Sequence, residues 1–172
     1  LGEFPTTRMR RNRRDDWNRR LVAETALSPA DFILPVFVHA SRDAHTSIPS
    51  LPGIDRYSIP ALLDRAKKII ELGIPVIAVF PVTDSALMDA EGSEALNPDN
   101  LVCQTIRALK NIHPDLGIMC DVALDPYTNH GHDGILHEGY VANDETLDVL
   151  ARQALIQAEA GCDIIAPSDM MD

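Results

Sequence analysis

The sequence predicts an α/β fold on a parallel sheet, of the (β/α)8 TIM-barrel type, with an N-terminal arm and about four βα units. Three observations carry that prediction. First, a unit recurs: a helical stretch, a glycine, a short apolar run, a proline, then polar residues. SIPALLDRAKKIIELG leads to IPVIAVFP, NPDNLVCQTIRALKNIHPDLG to IMCDVALDP, and NDETLDVLARQALIQAEAG to CDIIAPSD. Second, VIAVF and DIIAP are continuously apolar, the pattern of strands buried on both faces of a parallel sheet. Third, the polar residues follow the strands, and a barrel places its chemistry at the C-terminal strand ends.

The elements follow in order. Residues 1–24 form a basic arm, and residues 25–172 the N-terminal half of a barrel domain. FILPVFV is the first strand. It runs into HASRDAHTSIPSLPG, which lacks the Gly-x-Gly-x-x-Gly loop that a nucleotide-binding doubly wound sheet prefers there. A doubly wound sheet fits the repeat equally well, so this loop and the polar strand ends favour the barrel. Ser58 is the expected N-cap of the first long helix, with Pro60 in its first turn. Asn97 followed by Pro98 reads as the cap and first position of the second. In the third, Leu147, Leu150, Ala151, Ala154, Leu155 and Ala158 keep helical spacing and predict one apolar face. Gly73 and Gly161 stand where a left-handed residue ends a helix. After the fourth strand comes SDMMD, and a half-barrel leaves open edges, so the chain is expected to be the N-terminal portion of a longer protein.

Composition narrows the function classes. The longest apolar run, IPVIAVFPV, has nine residues, too few to span a bilayer. The arm has no apolar h-region of a secretory signal, and its acidic residues and lack of serine argue against a transit peptide. Cys103, Cys120 and Cys162 are widely spaced with no CxxC pair, and read as buried thiols of a cytoplasmic protein. Net charge is −11, unevenly spread. Residues 1–20 carry seven arginines against Glu3, Asp15 and Asp16, so this segment is net +4 and the remaining 152 residues −15. A nucleic-acid binder carries basic character through its folded body, and this body would repel phosphate. The arm is therefore expected to mediate self-association, the alternative being a solvated tail.

The densest chemistry lies in DVALDPYTNHGHDG, residues 121–134, directly after an apolar run. Asp121, Asp125 and Asp133 are candidate metal ligands or proton-transfer groups, though aspartate, asparagine and glycine are also ordinary loop residues. His130 and His132 are open to three readings: ligands, proton carriers, or loop residues bonded to backbone. His132, next to Asp133, is the candidate for orienting a liganding carboxylate. Ser168 and Asp169 are either site residues or a capping pair for a following helix.

RMRRNRR, ILPVFV, SIPSLPGIDRYSI, DVALDPYTNHGHDGI and APSDMMD together resemble the porphobilinogen synthase (5-aminolevulinate dehydratase) family, in the right order and over essentially the whole chain. The resemblance implies a lyase that condenses two 5-aminolevulinate molecules to porphobilinogen with loss of water, in tetrapyrrole (heme) biosynthesis. It implies that Asp121, Ser168 and Asp169 line the active site. In zinc-dependent members the loop carries three cysteines, and Ala123, Asp125 and Asp133 stand at those positions here. The chain is thus similar to the aspartate-rich, magnesium-responsive bacterial branch. No active-site zinc is expected, and stimulatory magnesium is expected to bind largely outside this segment, with Asp125 and Asp133 as tentative contacts. The family also implies an octamer-type homo-oligomer held by the arm.

The family mechanism forms Schiff bases on lysines. Lys67, Lys68 and Lys110 all fall in predicted helices, match no catalytic lysine, and are expected to be solvated, so this chain alone is predicted inactive. Two alternatives remain: another Schiff-base barrel enzyme of the aldolase type, and a non-catalytic assembly module.

Overall fold

Four parallel strands stand in the order in which the sequence presents them. The computed structural model describes residues 2–172. After a 3-10 turn at Met9–Arg13 and a short helix α1 (Asp16–Leu21), strand β1 spans Ile33–His39, β4 Val76–Val82, β5 Gly117–Val122 and β8 Ile164–Pro167. Neighbours pair parallel, with Val36 beside Val79, Val79 beside Cys120, and Asp121 beside Ala166. The crossovers are helices α2 (Ile59–Glu71), α3 (Leu101–Ile112) and α4 (Asn143–Ala160). Two hairpin-like additions went unread in the sequence. Short strands β2 (His45–Ser47) and β3 (Asp55–Tyr57) extend the sheet beyond β1, giving the order β2-β3-β1-β4-β5-β8, and β6 (Leu136–His137) pairs with β7 (Tyr140–Val141).

The core lies between the sheet and its helices. Val36, Val38, Ile77, Val79, Ile118 and Cys120 pack against Leu62, Ala66 and Ile69 of α2 and Val102, Ile106 and Leu109 of α3. Burial of such side chains contributes roughly 1.5–3 kcal/mol each. A second cluster gathers Val122, Leu124, Tyr127, Ile135 and Leu150 beneath the loop after β5. The expectation of strands buried on both faces holds for β4, where Ile77, Ala78 and Val79 are buried in succession, and is corrected for β8, in which no residue is buried. Along β5, Ile118, Cys120 and Val122 are buried while Met119 and Asp121 are half-buried, and in β1 Ile33 is exposed. One face meets the helices; the other carries Phe37, Phe80, Met119 and Asp121 and is only partly covered.

The helix ends hold one confirmation and two corrections. Gly73 and Gly161 take φ of +80° and +107°, the left-handed values that end α2 and α4. The cap of α3 is Asn100, not Asn97: its side chain accepts the Cys103 N–H at 2.9 Å. Asn97 instead accepts the Asp99 N–H at 2.9 Å, forming a turn ahead of the helix. On α4 the buried face is Thr146, Leu150, Gln153, Gln157 and Ala160, while Leu155 is 64% exposed. The helix is rotated from the expected apolar stripe because its glutamine amides bond to the end of β5.

Candidate active site

Strand register assembles the site at the C-terminal ends of β5 and β8. Asp121 and Ala166 are partners across the two strands, so Ser168, just beyond Pro167, comes within reach of Asp121. Its hydroxyl donates to Asp121 Oδ1 at 2.7 Å. One residue on, Asp169 Oδ2 accepts the backbone N–H of Leu124 at 3.2 Å, tying the β8 end to the β5 loop. Ser168 and Asp169 thus act across strands within this structure, where sequence left open a capping pair.

The loop after β5 folds on itself through Tyr127 and Thr128 N–H groups, which both donate to Leu124 O. The Thr128 hydroxyl donates to His132 O at 3.1 Å. Gly134 takes φ of +94° under Thr146 and Met171, where an added Cβ would stand 3.0 Å from both. This conformation returns Asp133 toward the strand ends. Carboxylate oxygens of Asp125, Asp133 and Asp169 lie within 4.8 Å of one another. Asp121 completes the acidic surround. Partial burial, then the nearby charges of Asp133, Asp125 and Asp121, push the Asp169 carboxyl up to about 6, and burial with Asp133 and Asp121 raises Asp125. Asp169 therefore holds its proton well above the usual carboxylate range, and the cluster presents negative charge where a cationic group could sit.

The two histidines part company. His130 Nδ1 accepts the His132 N–H at 3.1 Å, so the proton sits on Nε2, which donates to Ala90 O at 3.2 Å. Both nitrogens are spent on backbone, and His130 is a loop-stapling residue. His132 is exposed, with its ring 5.6 Å from that of His130, and it borders a hollow with Asp133, Tyr140 and Met171. Its ring makes no hydrogen bond to Asp133 among the described residues, so the expected orienting contact is not formed in this structure.

The lysines stand away from this site. Lys67 pairs with Asp64 at 2.9 Å on α2. Lys110 corrects the expectation of a solvated side chain: it is 23% exposed, pairs with Asp163 at 2.6 Å and donates to Leu116 O at 2.9 Å. These partners lie before β5 and β8, at the opposite end of the sheet from Asp121. Sequence reasoning missed Gln153 and Gln157. They occupy the helical spacing 146, 150, 153, 157, 160, but polar side chains there hide the period from a hydrophobic reading.

A family model described as Delta-aminolevulinic acid dehydratase matches residues 6–172. The chain belongs to the delta-aminolevulinic acid dehydratase family. Among its family relatives, the enzyme of Bradyrhizobium diazoefficiens is 54% identical over 165 residues, covering 96% of this chain and 47% of the relative. That of Chlamydia pneumoniae is 46% identical over 96% of this chain and 50% of its own length. A solved family structure is the Toxoplasma gondii ME49 delta-aminolevulinic acid dehydratase (porphobilinogen synthase) in complex with the reaction product porphobilinogen. It is similar at a TM-score of 0.90 and 42% identity, over 96% of this chain and 47% of that one. The chain spans about half the length of the family relatives it matches. The four parallel strands and outer helices are accordingly about half of the family's TIM barrel, and the partly covered sheet face is the barrel's inner face.

Proposed function

We propose that the intact enzyme containing this chain is a porphobilinogen synthase, a lyase that joins two 5-aminolevulinate molecules into porphobilinogen with loss of water, on the path to heme and other tetrapyrroles. One observation supports it most: in a chain of this family, Asp121, Asp125, Asp133 and Asp169 converge at the ends of two adjacent barrel strands. The substrate carries an ammonium group, and clustered carboxylates attract and orient such a cation. Asp169, its carboxyl raised to about 6 by burial and its acidic neighbours, suits taking up and releasing a proton during loss of water. Ser168 orients Asp121 through its short hydroxyl bond.

Imine formation with the substrate ketones falls to lysines outside this segment, since Lys67, Lys68 and Lys110 lie on helices away from the strand ends. The Asp125, Asp133 and Asp169 oxygens form an all-carboxylate donor set, which fits a hard cation such as magnesium and not a thiolate-bound zinc. When bound, magnesium supplies positive charge; its principal stimulatory site is proposed to lie beyond this segment. The enzyme is proposed to be cytoplasmic, in keeping with three free cysteines, and a homo-oligomer of octamer type.

The test incubates the intact enzyme with 5-aminolevulinate and measures porphobilinogen by colour assay, before and after chelation. Product formation restored by magnesium supports the reading. Failure to form porphobilinogen sinks the reaction assignment, and recovery with stoichiometric zinc alone sinks the metal assignment. Borohydride trapping on the 172-residue chain by itself is expected to give no lysine adduct.

A further inference from the structure

The end of β5 lacks a donor that a parallel ladder should supply. Gly117 N–H donates to Pro75 O, and such a ladder repeats every two residues. The donor due opposite the Asp121 carbonyl therefore falls at position 81, which is proline and has no N–H. Accordingly the β4–β5 pairing stops at Val79 and Cys120. Two residues on α4 stand in. Gln157 Nε2 donates to Asp121 O at 2.8 Å, and Gln153 Nε2 donates to Ala123 O at 3.1 Å. Both side chains are 1% exposed, and both Oε1 atoms are buried without a partner. A carbonyl can only accept, so each amide must turn its NH2 toward the strand. Two buried amides with unmet acceptors are a costly substitute for leucine on a core-facing helix stripe. Their contacts concentrate on the segment that carries Asp121 and Asp125.

We propose that Gln153 and Gln157 are positioning residues. Gln157 replaces the strand donor lost at Pro81, Gln153 takes the next carbonyl beyond the end of the β4–β5 pairing, and together they hold the end of β5 so that Asp121 meets Ser168, Leu124 N–H meets Asp169, and Asp125 faces the carboxylate cluster. Neither touches the reacting groups; both act through the backbone of residues 121–125. For turnover, this inference rests on the porphobilinogen synthase reading above.

The experiment uses the intact enzyme and the variants Gln153→Met and Gln157→Met, which keep length and helix propensity but lose the donor. Leu150→Val, in the adjoining core, is the packing control. Amide exchange by mass spectrometry is read over residues 121–126, and kcat, KM and the pH profile are read with 5-aminolevulinate. The glutamine variants are expected to exchange faster in that peptide and to lose on the order of tenfold or more in kcat, with KM changed less. The decisive variant is Gln157→Met combined with Pro81→Ala, which restores a backbone N–H opposite Asp121. Recovery of slow exchange and of kcat in the double variant supports the proposal. It is overturned if exchange and kcat match the parent in the single variants, if they only follow the loss of thermal stability seen for Leu150→Val, or if Pro81→Ala rescues nothing. A parent that makes no porphobilinogen sinks the reaction reading instead, and the exchange data then decide the glutamines alone.

Discussion

Asp169 concentrates the chemistry of the site at the scale of one residue. Its carboxyl is raised from 3.8 to about 6 by burial, with Asp133, Asp125 and Asp121 adding to the shift. The folded state therefore holds more protons than the unfolded chain between those values, and stability falls as pH rises through that window. Above it, the charged group remains a net cost. Asp169→Asn is expected to raise stability at pH 7 by about 1 kcal/mol, discounted for solvent screening, and to abolish activity of the intact enzyme. Chemical denaturation at pH 4 and pH 7 checks the sign: the gain must appear at pH 7 and shrink at pH 4. Cys162 gives a second prediction. It is half-buried, with Sγ against Ile118 O and Ile164 O, whereas Cys103 and Cys120 are fully buried and their thiols are pushed up. A maleimide at pH 7.5 should therefore reach and label Cys162 first, read by peptide mass spectrometry. Equal labelling of all three cysteines would count against that difference in burial.

The elements are held by particular ends as much as by their faces. Asn100 caps α3 through Cys103 N–H and also donates to Glu94 O at 3.3 Å and Ala95 O at 3.5 Å, tying the helix start to the preceding 3-10 turn. It is 2% exposed, so truncation strands buried backbone groups. Asn100→Ala should cost about 1–2 kcal/mol, measured as a shift of the urea midpoint at unchanged slope. Asn97→Ala, at the position sequence spacing favoured, should cost less, since its side chain caps no helix and bonds only the Asp99 N–H and the Glu94 carboxylate. At the other end of α3, Lys110 bonds to Asp163, which also accepts the Ile118 N–H at 2.8 Å. One ion pair thereby joins α3, β5 and the turn before β8, at the end of the sheet remote from the candidate site.

On the scale of the whole molecule, the sheet and the arm each present surface that this chain does not cover. Ile33 is 45% and Ile164 38% exposed on the sheet. In the arm no residue of the Met9–Arg13 turn or of α1 is buried, and Met9, Trp17 and Leu21 are exposed beside the arginines. Arg20 reaches Asp16 at 3.0 Å and Arg19 donates to Arg13 O at 2.9 Å, so the described arm bonds mainly to itself. Exposed apolar side chains together with net positive charge suit docking on an acidic body such as a second copy presents. Deleting residues 1–20 from the intact enzyme is expected to lower its oligomeric state by light scattering. An unchanged mass would remove the arm from the assembly.

The sequence by itself determined the βα repeat, the two glycine helix stops, the family and the aspartate-rich loop, because each is written within a few consecutive residues as a period, a cap or a motif. It also placed Asp121, Asp125, Ser168 and Asp169 at strand ends. Only the tertiary structure decided that Ser168 bonds Asp121 across 47 positions and that Asp169 takes the Leu124 N–H across 45. Those contacts depend on the register of β5 against β8, which no local signal encodes. The same holds for the face of α4. A hydrophobic period cannot show that Gln153 and Gln157 point inward, because their burial is favoured by two strand carbonyls rather than by apolar contact. The rise of the Asp169 pKa is likewise a through-space quantity. It exists only where burial and three neighbouring carboxylates meet in the fold.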